Sequence, residues 1–404
     1  MKISNRKIHW FNPGHENAVW TENPYFTPPA SVCKMMTDLA ILPVWYANEC
    51  DYIIINEAKE TSRFLLSIPT CIRPPAIPIL ISELNIFEPV EATPWGLSPQ
   101  SIRFFETLRV QNESIIIPQW KEKYKELTGR QTAYTCLSKL CTLLPDIGKT
   151  IVLPRFCSTI EAIRQFMTAY PPPYMLKTPY SCSGRGLFRI PTRDIDKQTS
   201  QWINGVLKKQ GVVSIERALD KVCDFALEFE SDGYGHISHK GLAIFNTLLK
   251  GAYQGNLLGS QDRLRKKISE FTPIARLREI QETITSILVE EFGSVYQGYL
   301  GVDMLIYRNG SNFDIHPLIE INLRNTMGLV ALQLSNRLID PSSHGHLIIT
   351  YNKEKNKTCN LHLQMKAKYP LQISGTKIQS GYLSLCPVMP DTQYIAYMVI
   401  EKND

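Results

Sequence analysis

Hydrophobic positions in the first 125 residues alternate between runs typical of buried strands and spacings typical of helices. The apolar run at 7–11 ends in NPG, residues 30–47 carry apolar side chains at helical spacing, and DYIIIN at 51–56 predicts a buried strand. Ser98 is a good N-cap for a helix that begins at Pro99. Strand, helix and strand joined by short connections predict a small α/β domain.

The pattern changes from Tyr134 onward. A capped amphipathic helix is predicted over 158–170, and strands are predicted over GVVSIE at 211–216 and CDFALEFE at 223–230. Between the helix and the first of these strands lies YMLKTPYSCSGRGLFRI at 174–190, in which two apolar runs flank a loop rich in Ser and Gly. These elements predict a compact α+β unit of roughly 100 residues.

A third unit is predicted to begin near Gly235. It contains an amphipathic helix at 276–292 and a strand, loop, strand and helix at 298–338. After Tyr351 the chain is polar and ends in two short apolar runs typical of strands. The sequence has no internal repeat and no low-complexity linker between these units.

Composition narrows the class of protein. A chain of 404 residues is too long for one compact core and predicts two or three domains. Its net charge of +6 fits an anionic small ligand but is too weak for the basic surface of a nucleic-acid binder, so no nucleic-acid partner is expected. The start lacks an apolar signal region and no window approaches the roughly 18 apolar residues of a membrane span, which predicts a cytoplasmic protein without membrane association. Ten scattered cysteines without a C-x-x-C pair indicate neither a disulfide framework nor a structural metal.

The first candidate site is the loop after Lys177. Gly184 and Gly186 would let backbone N–H groups approach phosphate oxygens, and Ser181 and Ser183 would add donors. Taken alone, this loop is better explained as a hairpin turn beside a surface lysine, and it is not a Walker A loop because no G-K-[ST] follows.

Two acidic residues that follow this loop could contact a nucleotide, but an ordinary structural role also explains them. Glu216 ends a predicted buried strand, where its carboxylate and backbone could bind an adenine, and Asp224 lies eight residues later, where it could hold a ribose hydroxyl. The alternative is a strand that ends in a solvated Glu-Arg pair.

The strongest local signal is a pair of acids among apolar neighbours. Asp303 lies in GVDMLIY and Glu320 in HPLIEIN, with Asn322 on the same strand face as Glu320. A buried carboxylate needs a partner, and two carboxylates with an amide oxygen suit Mg²⁺. A tight turn centred on Asn309-Gly310 would place Asp303 opposite His316.

Shared metal binding therefore predicts a long or bulged connection, with residues 308–315 as an eight-residue loop, and a tight Asn-Gly hairpin would count against it. Arg324, which follows Asn322, could bind a transferring phosphoryl group or a substrate carboxylate. A helix-cap contact or an ordinary ion pair is the alternative for this arginine.

The order of these features over about residues 130–340 resembles the ATP-grasp superfamily, with its lysine, Gly-rich loop, hinge glutamate and D…E-x-N. The resemblance implies a three-domain architecture of mixed α/β and α+β type that encloses the nucleotide. Its implied parts are an α/β pre-ATP-grasp domain at 1–128, an α+β subdomain with the Gly-rich loop at 129–234, an α+β subdomain with the metal site at 235–350, and a C-terminal β extension at 351–404.

The resemblance also implies ATP and Mg²⁺ (or Mn²⁺) as cofactors and a role for each matching residue. Lys177 resembles the catalytic lysine on the α/β-phosphates, and Lys139 falls where the family often has an earlier phosphate-binding lysine, although Ser138 stands where an Asp usually precedes it. The remaining implied positions are the closing loop (Ser181, Ser183, Gly184, Gly186), the adenine hinge (Glu216), the ribose contact (Asp224) and the metal ligands (Asp303, Glu320, Asn322).

Arg324 is similar to the catalytic arginine after E-x-N in the biotin-carboxylase-like and carbamoyl-phosphate branches. Gly301 stands where the D-alanine-ligase branch has an arginine, which argues against that activity. Lys240, Lys250 and Asn256 fall in the region where family members reach phosphate or acceptor substrate.

The activity implied by the resemblance is an ATP-dependent ligase that activates a substrate carboxylate as an acylphosphate for capture by an amine or thiol. Its partners would be small-molecule carboxylates and amines, and the oligomeric state stays open. Two alternatives also stay open, which are a small-molecule kinase on the same scaffold and a nucleotide-binding protein without chemistry. His15 and Glu16, in FNPGHENAVW, are conspicuous, but a loop that joins a strand to a helix explains them equally well.

Overall fold

The computed structural model describes residues 6–181, 186–248 and 251–402. Its chain divides into two compact units. Unit 1 comprises Met1–Lys121, Gln254–Leu264 and Arg324–Asp404, and unit 2 comprises Glu122–Tyr253 and Arg265–Leu323.

The first part of unit 1 is a parallel sheet with strand order β3-β2-β1-β4-β5. It confirms the predicted N-terminal α/β fold. The predicted helix at 30–47 ends early, and a 3-10 turn at Leu42–Trp45 follows it because Pro43 lacks a backbone N–H. The elements are β1 (Arg6–Trp10), α1 (Glu16–Thr21), α2 (Ala30–Asp38), β2 (Tyr52–Ile55), α3 (Ala58–Ser67), β3 (Ile77–Leu80), β4 (Val90–Pro94), α4 (Pro99–Arg109) and β5 (Ile115–Ile116).

Local sequence signals fix the start of α4. The Ser98 hydroxyl accepts the Ser101 N–H at 3.2 Å, and the Ser101 hydroxyl accepts the Ser98 N–H at 2.9 Å. Pro99 occupies the first helical position, where its missing N–H costs nothing. The helix then buries Phe105 against Ile8 of the central strand.

Unit 2 begins with helices and a small antiparallel sheet of order β6-β9-β7-β8. Apolar side chains of two helices, including Phe166 and Ile203, bury one face of this sheet at Leu176 and Ile215. The elements are α5 (Lys123–Thr128), α6 (Arg130–Leu143), α7 (Pro145–Gly148), β6 (Arg155–Cys157), α8 (Ile160–Ala169), β7 (Tyr174–Lys177), β8 (Leu187–Ile190), α9 (Lys197–Gln210), β9 (Val213–Arg217), β10 (Asp220–Asp232) and β11 (Ile237–Thr247).

The remaining chain contributes strands to both units. Unit 2 contains the antiparallel order β14-β13-β10-β11, and unit 1 contains the antiparallel order β12-β15-β18-β17-β16. The elements are β12 (Tyr253–Leu258), α10 (Gln261–Ser269), α11 (Ile274–Phe292), β13 (Gln297–Asn309), β14 (Asn312–Asn322), α12 (Met327–Leu338), β15 (Ser343–Tyr351), α13 (Lys357–Lys368), β16 (Gln372–Ser374), β17 (Lys377–Ser384) and β18 (Tyr394–Lys402).

Helix α13 was not predicted, since its segment is polar. Its Leu361 and Met365 lie four residues apart and pack against the buried core of unit 1. Tertiary packing rather than a wide apolar stripe therefore stabilises this helix. Of the helices in the described part of the chain, none is both long and apolar enough to cross a membrane.

Candidate nucleotide and metal site

The hairpin of β13 and β14 brings Asp303 directly opposite Glu320. Its turn is tight, since Asn309 pairs with Asn312, and the eight-residue loop that shared metal binding predicted is absent from this hairpin. A bulge supplies the register instead. Between the pairs Asp303–Glu320 and Leu305–His316, β13 advances two residues while β14 advances four.

The bulge contains Pro317, which has no N–H to donate to the strand ladder. The tight turn contradicts the expected eight-residue connection and counts against the argument from loop length. The bulge within the strands nevertheless pairs Asp303 with Glu320.

Asn322 completes this group, which we call the hairpin site (Asp303, Glu320 and Asn322). Its Nδ2 donates to Asp303 Oδ2 at 3.0 Å. Within the described residues no cluster of three or more His, Cys, Asp or Glu side chains could hold a metal ion, so a cation here would have two carboxylates and an amide from the protein. That oxygen set fits Mg²⁺, which usually keeps several waters and substrate oxygens among its ligands.

Lys177 and Glu216 form a buried pair on the small sheet of unit 2. Strand β9 pairs with β7, and the Lys177 ammonium lies 2.6 Å from Glu216 Oε1. Only 7% of the Lys177 side chain and 15% of the Glu216 side chain are exposed. The carboxylate of Glu216 offsets part of the cost of burying this ammonium group.

Arg130, which the sequence analysis missed, lies at the first position of α6 and contacts the hairpin site. Its Nη2 is 2.9 Å from Glu320 Oε1, and the side chain is 9% exposed. The same guanidinium donates from Nε to the Thr178 carbonyl at 3.0 Å and from Nη2 to Ser181 Oγ at 3.4 Å. Arg130 therefore joins the start of the Gly-rich loop to a carboxylate of the hairpin site. No motif in the sequence singles out this arginine.

The two ends of the Gly-rich loop meet. The Thr178 N–H donates to the Gly186 carbonyl at 2.9 Å, and a Cβ at position 186 would lie 2.1 Å from Thr178 Oγ1. Only glycine fits this closure without a shift of the neighbouring chain. Ser183 and Gly184, which the resemblance places in the phosphate loop, lie outside the described residues.

Lys139 and Asp224, which were predicted to contact the nucleotide, pair with protein side chains in the structure. The Lys139 ammonium lies 2.6 Å from both Glu290 and Glu291, and their hydrogen bonds raise its pKa. Asp224 accepts hydrogen bonds from Lys221 and from Thr247. The structure does not bring Lys139 together with the hairpin site.

Lys240 and Asn256, which were expected where family members reach phosphate or acceptor substrate, have separate neighbours in the structure. Lys240 pairs with Glu230 at 2.6 Å, and Asn256 is buried on β12 opposite Leu347. Lys250 lies outside the described residues.

His316 is a buried neighbour of this constellation. It lies on β14, and burial followed by the positive charge of Lys177 lowers its pKa from 6.5 to about 3. The imidazole is therefore neutral at physiological pH and adds no charge beside Lys177.

Arg324 follows Asn322 by two residues in the chain but belongs to unit 1. Its Nε donates to Glu16 Oε1 at 2.8 Å, and Glu16 is 7% exposed. His15 lies beside Glu16, with His15 Nδ1 3.5 Å from Glu16 Oε2. Arg324 is thus oriented by an acid at the first position of α1.

The parallel N-terminal sheet, the small α+β subdomain and the antiparallel sheet with its acidic hairpin together define an ATP-grasp fold. The fold predicted from the resemblance is confirmed by solved structures that match almost the whole chain. N5-carboxyaminoimidazole synthetase from Staphylococcus aureus, solved with ADP, is 13% identical over 100% of this chain and 94% of its own, with a TM-score of 0.51. Biotin carboxylase from Campylobacter jejuni, solved as a β,γ-ATP complex, is 12% identical over 98% of this chain and 87% of its own, with a TM-score of 0.52.

A third structure of this fold comes from a fungus. Carboxyaminoimidazole ribonucleotide synthase from Aspergillus clavatus, solved with ATP, is 10% identical over 99% of this chain and 94% of its own, with a TM-score of 0.51. No family model matches the sequence, and no curated protein matches it. Identities of 10–13% show a shared fold and leave the activity to be argued from the residues.

Proposed function

We propose that this protein is an ATP- and Mg²⁺-dependent ligase that activates a small carboxylate as an acylphosphate for capture by an amine. The observation that carries the proposal is the bulged register that sets Asp303 opposite Glu320, with Arg130 joining Glu320 to the Gly-rich loop. Solved structures of the same fold hold ADP, ATP or MgADP, which supports the choice of nucleotide.

Each residue of the constellation has a separate task in this proposal. Asp303, Glu320 and Asn322 would hold Mg²⁺, which neutralises the charge that develops on the phosphates when it is bound. Lys177 and Arg130 would hold phosphate oxygens, with Arg130 in the place that the resemblance gave to Lys139. Positioning and charge neutralisation account for phosphoryl transfer, so no nucleophilic side chain is needed.

Charge balance supports this assignment. Arg130 contacts Glu320 and Lys177 contacts Glu216, so the cations and acids neutralise each other in the structure. An arriving nucleotide brings anionic oxygens for the two cations, and its divalent cation takes the two carboxylates. The proposed binding is therefore an exchange of ionic partners, which avoids leaving a buried charge alone.

Glu216 and the backbone of β9 would bind the adenine, and Asp224 would contact the ribose. Ser181, Ser183, Gly184 and Gly186 would close over the phosphates. Arg324, oriented by Glu16, would bind the carboxylate or the phosphoryl group. A cytoplasmic location and the absence of a nucleic-acid partner stay predictions.

Product analysis tests the reaction type. Purified protein is incubated with Mg²⁺, ATP and pairs drawn from amino acids, small carboxylates and amines, and ADP, phosphate and coupled product are measured. A ligase releases ADP and phosphate and forms the coupled product only with both co-substrates. Transfer of phosphate to one co-substrate as a stable product would instead establish a kinase, and nucleotide binding without turnover in every mixture would contradict both.

A further inference from the structure

A cavity of about 460 Å³ in unit 1 is lined by residues of α3, of α13 and of the segment around β17. We call it the α3–α13 cavity. Its volume falls within the range of roughly 300–1,000 Å³ that small-molecule sites occupy. The described residues that line it include none of those assigned to the nucleotide or the hairpin site, and Arg324 is not among them. A ligand in this cavity would therefore occupy a site of its own.

Apolar side chains form much of the wall of this cavity. They come from α3 and the residue that ends it, from the residue before β16, from β17 and from the loop after β17, and they are Phe64, Ile68, Leu371, Leu383, Val388 and Met389. Several of them also pack in or against the buried core of unit 1, which holds the wall in place. Burial of apolar ligand surface against such a wall is favourable, so the cavity suits a ligand with an apolar body.

The charged residues of the cavity leave one cation in excess. Arg63 of α3 is paired with Glu60, since its Nη1 lies 2.8 Å from Glu60 Oε1. Lys366 of α13 is exposed, and within the described part of the chain it makes no hydrogen bond or ion pair. All three residues line the cavity. The unbalanced ammonium of Lys366 therefore favours a ligand with one negative charge.

His362 can supply a hydrogen-bond donor beside this ammonium, because it lies four residues before Lys366 on the same face of α13. Burial and the charge of Lys366 lower the pKa of His362, so the imidazole is neutral at pH 7. Its Nδ1 lies 2.8 Å from the hydroxyl of Tyr382, whose pKa is raised by burial so that it keeps its proton. With Tyr382 as the donor to Nδ1, the imidazole carries its own proton on Nε2. Among the described residues, Nε2 has no hydrogen-bond partner.

We propose that the α3–α13 cavity binds a small carboxylic acid with an apolar body. The carboxylate would accept hydrogen bonds from the Lys366 ammonium and from His362 Nε2, and the apolar body would lie against the wall that includes Phe64 and Val388. One excess cation matches the single charge of a carboxylate, whereas a phosphate monoester carries between one and two charges at neutral pH. This proposal does not rest on the proposed ligase function.

Binding is tested on the full chain without ATP, with 4-phenylbutyrate as the probe. 4-Phenylbutanamide has the same apolar body without the charge, and acetate has the charge without the apolar body. Calorimetry gives the dissociation constants, and carbon-13 labelled histidine reports the His362 ring by NMR. The protein variants are Lys366→Gln and His362→Phe, and the exposed Lys368→Gln on the same helix is the matched control.

We expect 4-phenylbutyrate to bind wild type and Lys368→Gln equally, to raise the unfolding temperature of both, and to shift the NMR signal that His362→Phe removes. Lys366→Gln should weaken binding about tenfold or more because a charged hydrogen bond is lost, and His362→Phe should weaken it about threefold or more. The amide and acetate should each bind wild type at least tenfold more weakly than the probe. Thermal unfolding without ligand establishes that the variants are folded. If His362→Phe does not fold, Lys366→Gln decides, since Lys366 is exposed.

Three outcomes would overturn the proposal: no saturable binding of 4-phenylbutyrate, equal binding of the amide, or equal binding by Lys366→Gln. Binding that is lost in Arg324→Gln but kept in Lys366→Gln would also overturn it, because the carboxylate would then lie in the proposed ligase site. Sedimentation velocity tests for a different occupant. Self-association that Lys366→Gln weakens and that excludes 4-phenylbutyrate would assign the cavity to a second copy of the chain.

Failure of the ligase function is distinguishable from failure of this proposal. A protein that binds 4-phenylbutyrate through Lys366 but turns over no ATP in any mixture would keep the α3–α13 cavity as a ligand site and lose the proposed reaction.

Discussion

The hairpin site in unit 2 and the cluster of His15, Glu16 and Arg324 in unit 1 balance their acids with different partners. In unit 2, Glu320 contacts Arg130 and Asp303 accepts from Asn322. In unit 1, Glu16 accepts from Arg324 through one oxygen, and its other oxygen lies 3.5 Å from His15 Nδ1. Two facing carboxylates can share a divalent cation, whereas a single carboxylate paired with a guanidinium orients that guanidinium.

The largest expected effect tests the hairpin site. Replacement Glu320→Gln keeps the side-chain volume but removes the charge that faces Asp303, so turnover of ATP should fall by about 10²–10³-fold. Steady-state phosphate release measures it. Asp314→Asn on the same strand is the matched control and should stay within about twofold of wild type. Unchanged turnover in Glu320→Gln would remove the hairpin site from catalysis.

The next effect separates two candidate cations for the phosphates. Arg130→Ala should raise the KM for ATP by about 10–100-fold, because a charged hydrogen-bonding group beside Glu320 is lost. Lys139→Ala should change this KM by less than about twofold, since its ammonium pairs with Glu290 and Glu291. The reverse ranking would restore the role that the resemblance gives to Lys139.

A smaller effect tests the rigidity of the cluster of His15, Glu16 and Arg324. A Cβ on Gly96 would lie 2.2 Å from the His15 ring, so Gly96→Ala should lower the free energy of unfolding by about 1–3 kcal/mol. The control Gly205→Ala adds a methyl group in open space within α9 and should raise it by about 0.5–1 kcal/mol. Urea denaturation measures both, and equal effects would mean that the cluster repacks freely.

The smallest effect is a pH dependence from His316. Above pH 6.5 its imidazole is neutral in both states, whereas between 6.5 and about 3 the unfolded chain binds a proton that the folded chain does not. Stability therefore falls as the pH falls through this range, by at most about 1.4 kcal/mol per pH unit from this group. His316→Gln should flatten the profile of unfolding free energy from pH 7 to 4. Parallel profiles would show that His316 titrates alike in both states.

Several parts of this molecule could be predicted from sequence because their signals are local. Ser98 and Pro99 predicted the start of α4, and the apolar neighbours of Asp303 and Glu320 predicted strands. Helix α13 could not be predicted, since its helical state depends on packing of Leu361 and Met365. Propensity and periodicity act over a few residues, and tertiary packing overrides them where they are weak.

The candidate site likewise combines residues that the sequence suggests with contacts that only the fold decides. Lys139 and Arg130 both stand on α6, and only the fold decided that Arg130 contacts Glu320 while Lys139 contacts Glu290 and Glu291. Residues nine positions apart on one helix lie more than two turns from each other, so they contact different neighbours. A sequence motif that allows either cation cannot distinguish them.

By itself the sequence determined the order of strands and helices, the two acids among apolar residues and the resemblance in the order of motifs. Only the tertiary structure decided the bulge that pairs Asp303 with Glu320, the contact of Arg130 and the cluster of His15 and Glu16 with Arg324. The physical reason is separation along the chain. Composition and spacing act locally, while register and ion pairs between distant segments are set by the packing of the whole unit.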